Sequence, residues 1–193
     1  MAFATKTLPA EKRLEAIIKD RPFVGAADAP VTIIGFTDYR CPPCTRAART
    51  IDAMLEEFQG KVKYVSLSFQ LAYRNSELAA RAFEIALELD PEKAFGMKKL
   101  MLKAAVWRNG DLLDSAHLEQ YAAEAGLDAK KFGEALDRGA KREEVEAQRQ
   151  LAMDLGLESA PVFFIGQRVI VGAQDDGKFR AAIREALAEA RRN

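Results

Sequence analysis

Apolar residues recur along this 193-residue chain at two different periods, and each change of period marks an element. Leu14, Ile17 and Ile18 share one face of a short helix predicted over Pro9 to Asp20. The turn-rich run Gly25-Ala26-Ala27-Asp28-Ala29-Pro30 then breaks the pattern. Val31 to Thr37 is apolar on both faces, as a strand in the middle of a covered sheet should be. Cys44, Ala47, Ala48, Ile51, Met54, Leu55 and Phe58 then form a helical stripe that stops at Gly60. Val62 to Phe69 alternates, which places Val65, Leu67 and Phe69 inward and Ser66 and Ser68 on the other face. Strand, helix and strand in this order predict a right-handed crossover between parallel strands.

Asn75 to Leu155 is rich in Ala, Leu, Glu and Lys and has no strand pattern. Helices are expected after Ser76, after Asp90-Pro91, where proline suits the first helical position, after Ser115, after Asp128, and over Lys141 to Leu155. Strand character resumes at Val162-Phe163-Phe164-Ile165. A Gly166-Gln167 turn of type II′ returns the chain along Arg168-Val169-Ile170-Val171. Phe179, Ile183 and Leu187 mark a last helix. The order β-α-β, helical block, β-β-α describes an α/β protein with a mixed sheet flanked by helices.

The chemistry concentrates in two residues. The chain has only two cysteines, and they stand as Cys41-Pro42-Pro43-Cys44 between an apolar strand and an amphipathic helix. A thiol at the first turn of a helix is held as thiolate by unpaired backbone N–H groups and the helix dipole. A second thiol three residues on is within reach to close a small disulfide that reopens easily, so the pair reads as a reversible two-electron switch. Other readings stay open at this point. Structural zinc wants four ligands, and His117 is the only histidine to join the cysteines. An iron–sulfur cluster would need Cys41 and Cys44 of two chains. Two ordinary buried cysteines leave the intervening prolines without a reason.

Charge narrows the function classes. Lysine plus arginine and aspartate plus glutamate balance at 29 each. No basic excess exists to neutralise phosphates, so no nucleic-acid partner is expected. No run approaches the ~20 apolar residues of a membrane span, and Met1 to Asp20 lacks the apolar centre of a signal peptide. The chain is therefore expected to be either cytosolic or a mature segment freed of its signal or anchor.

Cys41-Pro42-Pro43-Cys44 at a strand-to-helix turn, within a β-α-β and β-β-α order, resembles the thioredoxin superfamily. The helical block between the halves narrows the resemblance to the DsbA-like thiol–disulfide oxidoreductases. The segments Ala29 to Cys44 and Ser159-Ala160-Pro161-Val162-Phe163-Phe164-Ile165-Gly166 are similar to that family's active-site approach and proline loop. The resemblance implies a thioredoxin fold with an inserted all-helical subdomain. Residues 1–24 would form a helical extension, 25–74 the first half of the fold, 75–156 the insertion and 157–193 the second half. It implies that Cys41 is the attacking, solvent-facing thiol and Cys44 the resolving thiol. Pro161 would be a cis-proline opposite the disulfide, with Ala160 offering backbone groups to an extended substrate; a trans proline opening a strand is the other reading. The expected activity is transfer of the Cys41–Cys44 disulfide to cysteines of protein substrates, with the same site also able to run as a reductase or isomerase. A peptide-binding module and a bridged-cluster dimer are the alternatives from another class. No cofactor and no metal are implied. The implied partners are cysteine-containing proteins and a redox partner, a membrane oxidase or reductase, in a periplasmic or other extracytoplasmic setting. Oligomeric state is left open.

Three positions bear on redox tuning: Pro42, Pro43 and Gly35. Many relatives carry a buried carboxylate six residues before the first cysteine, and this chain has Gly35. The archetypal strong oxidant has histidine where this chain has Pro43, and proline also lacks an N–H to face the thiolate. The expectation is a milder oxidant than the archetype, with a Cys41 pKa between that protein's and thioredoxin's. Among weaker candidates, Arg40 is read either as a cation stabilising the Cys41 thiolate or as an exposed loop charge. His117 is read as a surface or structural histidine and Trp107 as a packing residue. The N-terminal helix is read as a dimerisation arm or a linker remnant.

Overall fold

The computed structural model describes residues 10–71, 75–107 and 111–192. The elements follow the chain as α1 (Ala10–Lys19), β1 (Phe23–Gly25), β2 (Val31–Thr37), α2 (Pro42–Glu57), β3 (Val62–Ser68), α3 (Ser76–Leu89) and α4 (Pro91–Trp107). A 3₁₀ turn at Asp111–Leu113 leads to α5 (Ser115–Glu124), α6 (Ala129–Asp137), α7 (Arg142–Asp154), β4 (Val162–Ile165), β5 (Arg168–Val171) and α8 (Asp176–Ala190). Among the described residues four helices begin where an aspartate caps a free backbone N–H: Asp90 accepts from Lys93, Asp114 from His117, Asp128 from Lys131 and Asp175 from Lys178.

The five strands lie in the order β1-β3-β2-β4-β5. The central pair β2 and β3 is parallel, with Val31 opposite Val62 and Thr37 opposite Ser68; β1, β4 and β5 each pair antiparallel. Gly166 turns the β4–β5 hairpin at φ 58°, and Gln167 stays outside the left-handed region, as the first central glycine of a type II′ turn requires. This is a thioredoxin-type mixed sheet, with α3 to α7 entering the chain between β3 and β4.

The structure adds two features that the apolar pattern did not show. A short strand, β1, precedes the turn-rich run and shares only Gly25 with it; its Val24 pairs with Tyr64 at the sheet edge. Three residues with a terminal glycine carry too little period to be seen in sequence. Ser66 and Ser68, expected on the far face of an alternating strand, are both buried. β3 is covered on both faces: Ser68 N–H donates to the side chain of Gln148 on α7 at 2.7 Å, and Lys98 on α4 donates to Ser66 Oγ.

Ile33, Phe36, Met54, Leu67, Phe163 and Phe179 make the core around the sheet, with Phe163 and Phe179 edge to face at 5.1 Å. A continuous extension of that core, with Phe83, Met97, Met101, Leu118 and Phe132, fills the helical block. Arg81 is buried there as well, its guanidinium donating to the carbonyls of Leu136 and Ala140 at the end of α6. Trp107 closes α4, and its side chain lies outside the described residues.

Gly35 sits in the middle of β2, and space demands it. A Cβ there would lie 2.8 Å from both Cε2 and Oη of Tyr64 and 2.9 Å from Cε1 of Phe163. Gly35→Ala is therefore expected to destabilise the fold by about 1–3 kcal/mol through overpacking. Denaturant midpoints compared at constant slope check this; an unchanged midpoint would mean that Tyr64 swings aside freely.

Candidate active site

The site is built where β2 runs out. After Thr37, the chain turns through Asp38-Tyr39-Arg40, and Cys41 takes the N-cap position of α2 with extended backbone angles (φ −92°, ψ 113°). Pro42 and Pro43 occupy the first two helical positions, so neither contributes an N–H. Cys44 therefore brings the first free amide of the helix. That amide donates to the Cys41 carbonyl at 3.0 Å and also supports the Cys41 sulfur.

The loop before β4 closes over the pair. Ala160–Pro161 is a cis peptide bond, and the Cys41 thiol donates to the Ala160 carbonyl oxygen at 3.3 Å. The Pro161 carbonyl accepts from Gly172 N–H at 2.8 Å, which ties this loop to the end of β5. Four residues singled out from sequence, Cys41, Cys44, Ala160 and Pro161, thus meet at one place although about 119 positions separate the two segments.

The two thiols differ in electronics more than in exposure. Cys41 is 3% exposed and Cys44 2% exposed. The expectation of a solvent-facing Cys41 is corrected, because the Ala160 carbonyl and its loop cover the sulfur. The Cys41 pKa is lowered, first by the hydrogen bond from the Cys44 thiol, then by the Cys44 amide and the charge of Arg46; burial and the charge of Asp38 oppose this. The Cys44 pKa is pushed far up, first by burial and then by the hydrogen bond and charge of Cys41. Alkylation of the reduced protein at mildly acidic pH should therefore modify Cys41 faster than Cys44 by roughly a hundredfold. Peptide mapping by mass would read this, and equal labelling would refute the asymmetry.

Arg46, one turn into α2, is the cation that acts on Cys41. Arg40, adjacent in sequence, donates its backbone N–H to Asp38, and its charge favours the Asp38 carboxylate. Sequence reading missed Asp38 itself. It is 1% exposed, and its carboxylate accepts from Arg40 N–H at 2.7 Å, Leu71 N–H at 2.6 Å and Ser76 Oγ at 2.9 Å. Burial pushes its pKa up, against those hydrogen bonds and the Arg40 charge. An aspartate directly after a buried strand and three residues before the first cysteine was the available signal. His117 lies well apart from the cysteines in the helical block, its ring nitrogen 2.8 Å from the Asp114 carboxylate at the start of α5.

Residues 18–185 match the family model described as Thioredoxin. The chain belongs to the thioredoxin family. It is 24% identical over 174 residues to disulfide bond formation protein D of Bacillus subtilis, covering 88% of this chain and 78% of that one. Its fold superimposes on the crystal structure of oxidised BdbD from Bacillus subtilis with a TM-score of 0.82 at 23% identity, covering 89% of this chain and 95% of that one. It is also 31% identical over 151 residues to the Na(+)/H(+) antiporter NhaA of Herminiimonas arsenicoxydans. That match covers 78% of this chain but only 23% of the antiporter, so the chain spans about a quarter of that relative's length. No helix among the described residues is long and apolar enough to cross a membrane.

Proposed function

We propose that this thioredoxin-family protein is a DsbA-like thiol–disulfide oxidoreductase that works as a dithiol oxidase, with Cys41 as the exchanging sulfur and Cys44 as the resolving one. The observation that carries the reading is the opposed tuning of two thiols three residues apart, Cys41 lowered and Cys44 raised. In the oxidised enzyme, a substrate thiolate attacks the Cys41 sulfur and forms a mixed disulfide. The Cys41–Cys44 bond breaks, and Cys44 leaves with the electron pair and takes up a proton, which its high pKa favours. A second substrate thiolate then attacks the substrate sulfur of the mixed disulfide. This closes the substrate disulfide and releases Cys41 as the better leaving group. The enzyme ends as a dithiol and returns to the disulfide only when a partner oxidant removes two electrons.

Ala160 and Pro161 frame the acceptor side of this step. The Ala160 carbonyl, now taken by the Cys41 thiol, is freed once Cys41 enters a disulfide, and an extended substrate backbone can then donate to it. The chain's own tuning predicts moderate oxidising power. Pro42 and Pro43 remove two amides from the Cys41 thiolate, and Asp38 adds a negative charge beside it. Arg46 and the Cys44 amide partly offset these losses. DsbA-like proteins act on cysteine-containing substrates with membrane redox partners in extracytoplasmic settings, which supports the same partners and setting here.

Equilibration with glutathione buffers, followed by trapping of thiols, tests the direction. The expected potential falls between about −120 mV for DsbA and about −270 mV for thioredoxin. An oxidase also forms disulfides in a reduced, unfolded substrate with stoichiometric loss of its own disulfide. A potential below that of thioredoxin, with substrate reduction instead of oxidation, would reverse the proposal.

A further inference from the structure

Behind the cysteine pair, between α2, α4 and the β1 edge of the sheet, lies a cavity of about 460 Å³. That volume is within the range of small-molecule sites. Phe23, Leu55 and Phe95 supply an apolar wall, Cys44 lines one side, and Lys98 and Tyr64 supply the polar end. Lys98 is 5% exposed. Its ammonium donates to Tyr64 Oη at 2.9 Å and Ser66 Oγ at 2.5 Å, and lies over the Tyr64 and Phe83 rings at 4.7 and 5.5 Å from their centroids.

None of these partners carries negative charge. Glu84, a buried carboxylate of this region, accepts from both terminal nitrogens of the Arg21 guanidinium at 3.0 and 2.5 Å. Arg21 and Glu84 thus satisfy each other, and among the described residues no carboxylate pairs with Lys98. A buried charge is costly unless it is paired. An ammonium has three donors, and hydroxyls take only two of them here. Lys99, also in the lining, is already paired with Asp52 at 3.0 Å; of the lining's two lysines Lys98 is the one without a carboxylate partner among the described residues, and Glu92 is the lining's other carboxylate.

We infer that this cavity binds a small amphipathic monocarboxylate, its carboxylate on Lys98 beside Tyr64 and its apolar body against Phe23, Leu55 and Phe95. A compact anion alone would leave the aromatic wall unfilled, and a neutral apolar ligand would leave the ammonium unpaired. The inference is independent of the direction in which the cysteine pair runs.

Calorimetric titration of the full chain with octanoate, 1-octanol and octylammonium tests it. Octanoate should bind more tightly than octanol by about tenfold or more, and octylammonium should not bind. Methyl resonances of Leu55 and Leu102 should shift on octanoate addition. Lys98→Met, folded by circular dichroism, should bind octanoate no better than octanol. Absence of octanoate binding, equal affinity for octanoate and octanol, shifts confined to other methyls, or an octanoate preference that survives in Lys98→Met would each overturn the inference. Should Lys98→Met fail to fold, the ligand comparison and the methyl shifts on the native chain decide the matter alone.

Discussion

Cys41→Ser is expected to lower disulfide transfer to protein substrates by at least roughly a thousandfold, the scale on which loss of a reacting nucleophile acts. The remaining Cys44 cannot substitute, because burial keeps it protonated. Cys44→Ser should behave differently. It has no internal disulfide to give, yet its Cys41 still attacks the disulfide of an oxidised substrate. The resulting mixed disulfide has no neighbouring thiol to resolve it and accumulates. Non-reducing electrophoresis after acid trapping distinguishes the two variants. A stable adduct on Cys41→Ser but none on Cys44→Ser would exchange the roles assigned to the two sulfurs.

Asp38→Asn should both acidify Cys41 and loosen the active-site turn. The Asp38 charge raises the pKa of Cys41 and of Cys44, so its removal should move the thiolate absorbance titration to lower pH and make the pair more oxidising. The structural cost has a separate origin. One carboxylate oxygen holds Arg40 N–H and the other holds Leu71 N–H. An amide must turn its NH2 toward one of those donors and leave it unsatisfied, at about 1–3 kcal/mol.

The pH dependence of that cost has a definite sign. Burial raises the Asp38 pKa above the usual aspartate value of 3.8, so the native state holds this proton to higher pH than the unfolded chain does. The contribution of Asp38 protonation to stability is therefore complete below 3.8 and is lost as pH rises through the raised native value. The stability gap between the native chain and Asp38→Asn, which cannot titrate, should narrow from acid to neutral pH. Denaturant unfolding of both proteins across that range measures it. A gap that widens with pH would show that hydrogen bonding outweighs desolvation at this carboxylate.

The thioredoxin-like order was legible because its signals are local. The stripe from Cys44 to Phe58 and the doubly apolar run Val31 to Thr37 each need only their own neighbours to be recognised, and the cysteines stand at the junction between them. The helix starts at Ser115 and Ala129 were equally readable from the aspartates that cap them. Resemblance to a known family then joined Cys41 to Ala160 and Pro161, which no periodicity connects.

What the sequence alone determined was where the redox pair stands and which strands and helices carry it; tertiary structure decided the pair's surroundings. Phe23–Gly25 becomes a strand only because β3 offers it an edge, and Ser66 becomes buried only because Lys98 arrives from α4, 32 residues away. Cys41 looked exposed until the Ala160 carbonyl covered it. Arg40 looked like the thiolate's counter-charge, but its charge favours the Asp38 carboxylate and Arg46 takes that place. Propensity and periodicity act over a few residues and survive in the sequence. Desolvation and charge pairing depend on which distant atoms share a buried volume, and that is fixed only when the sheet and the helical block close on each other.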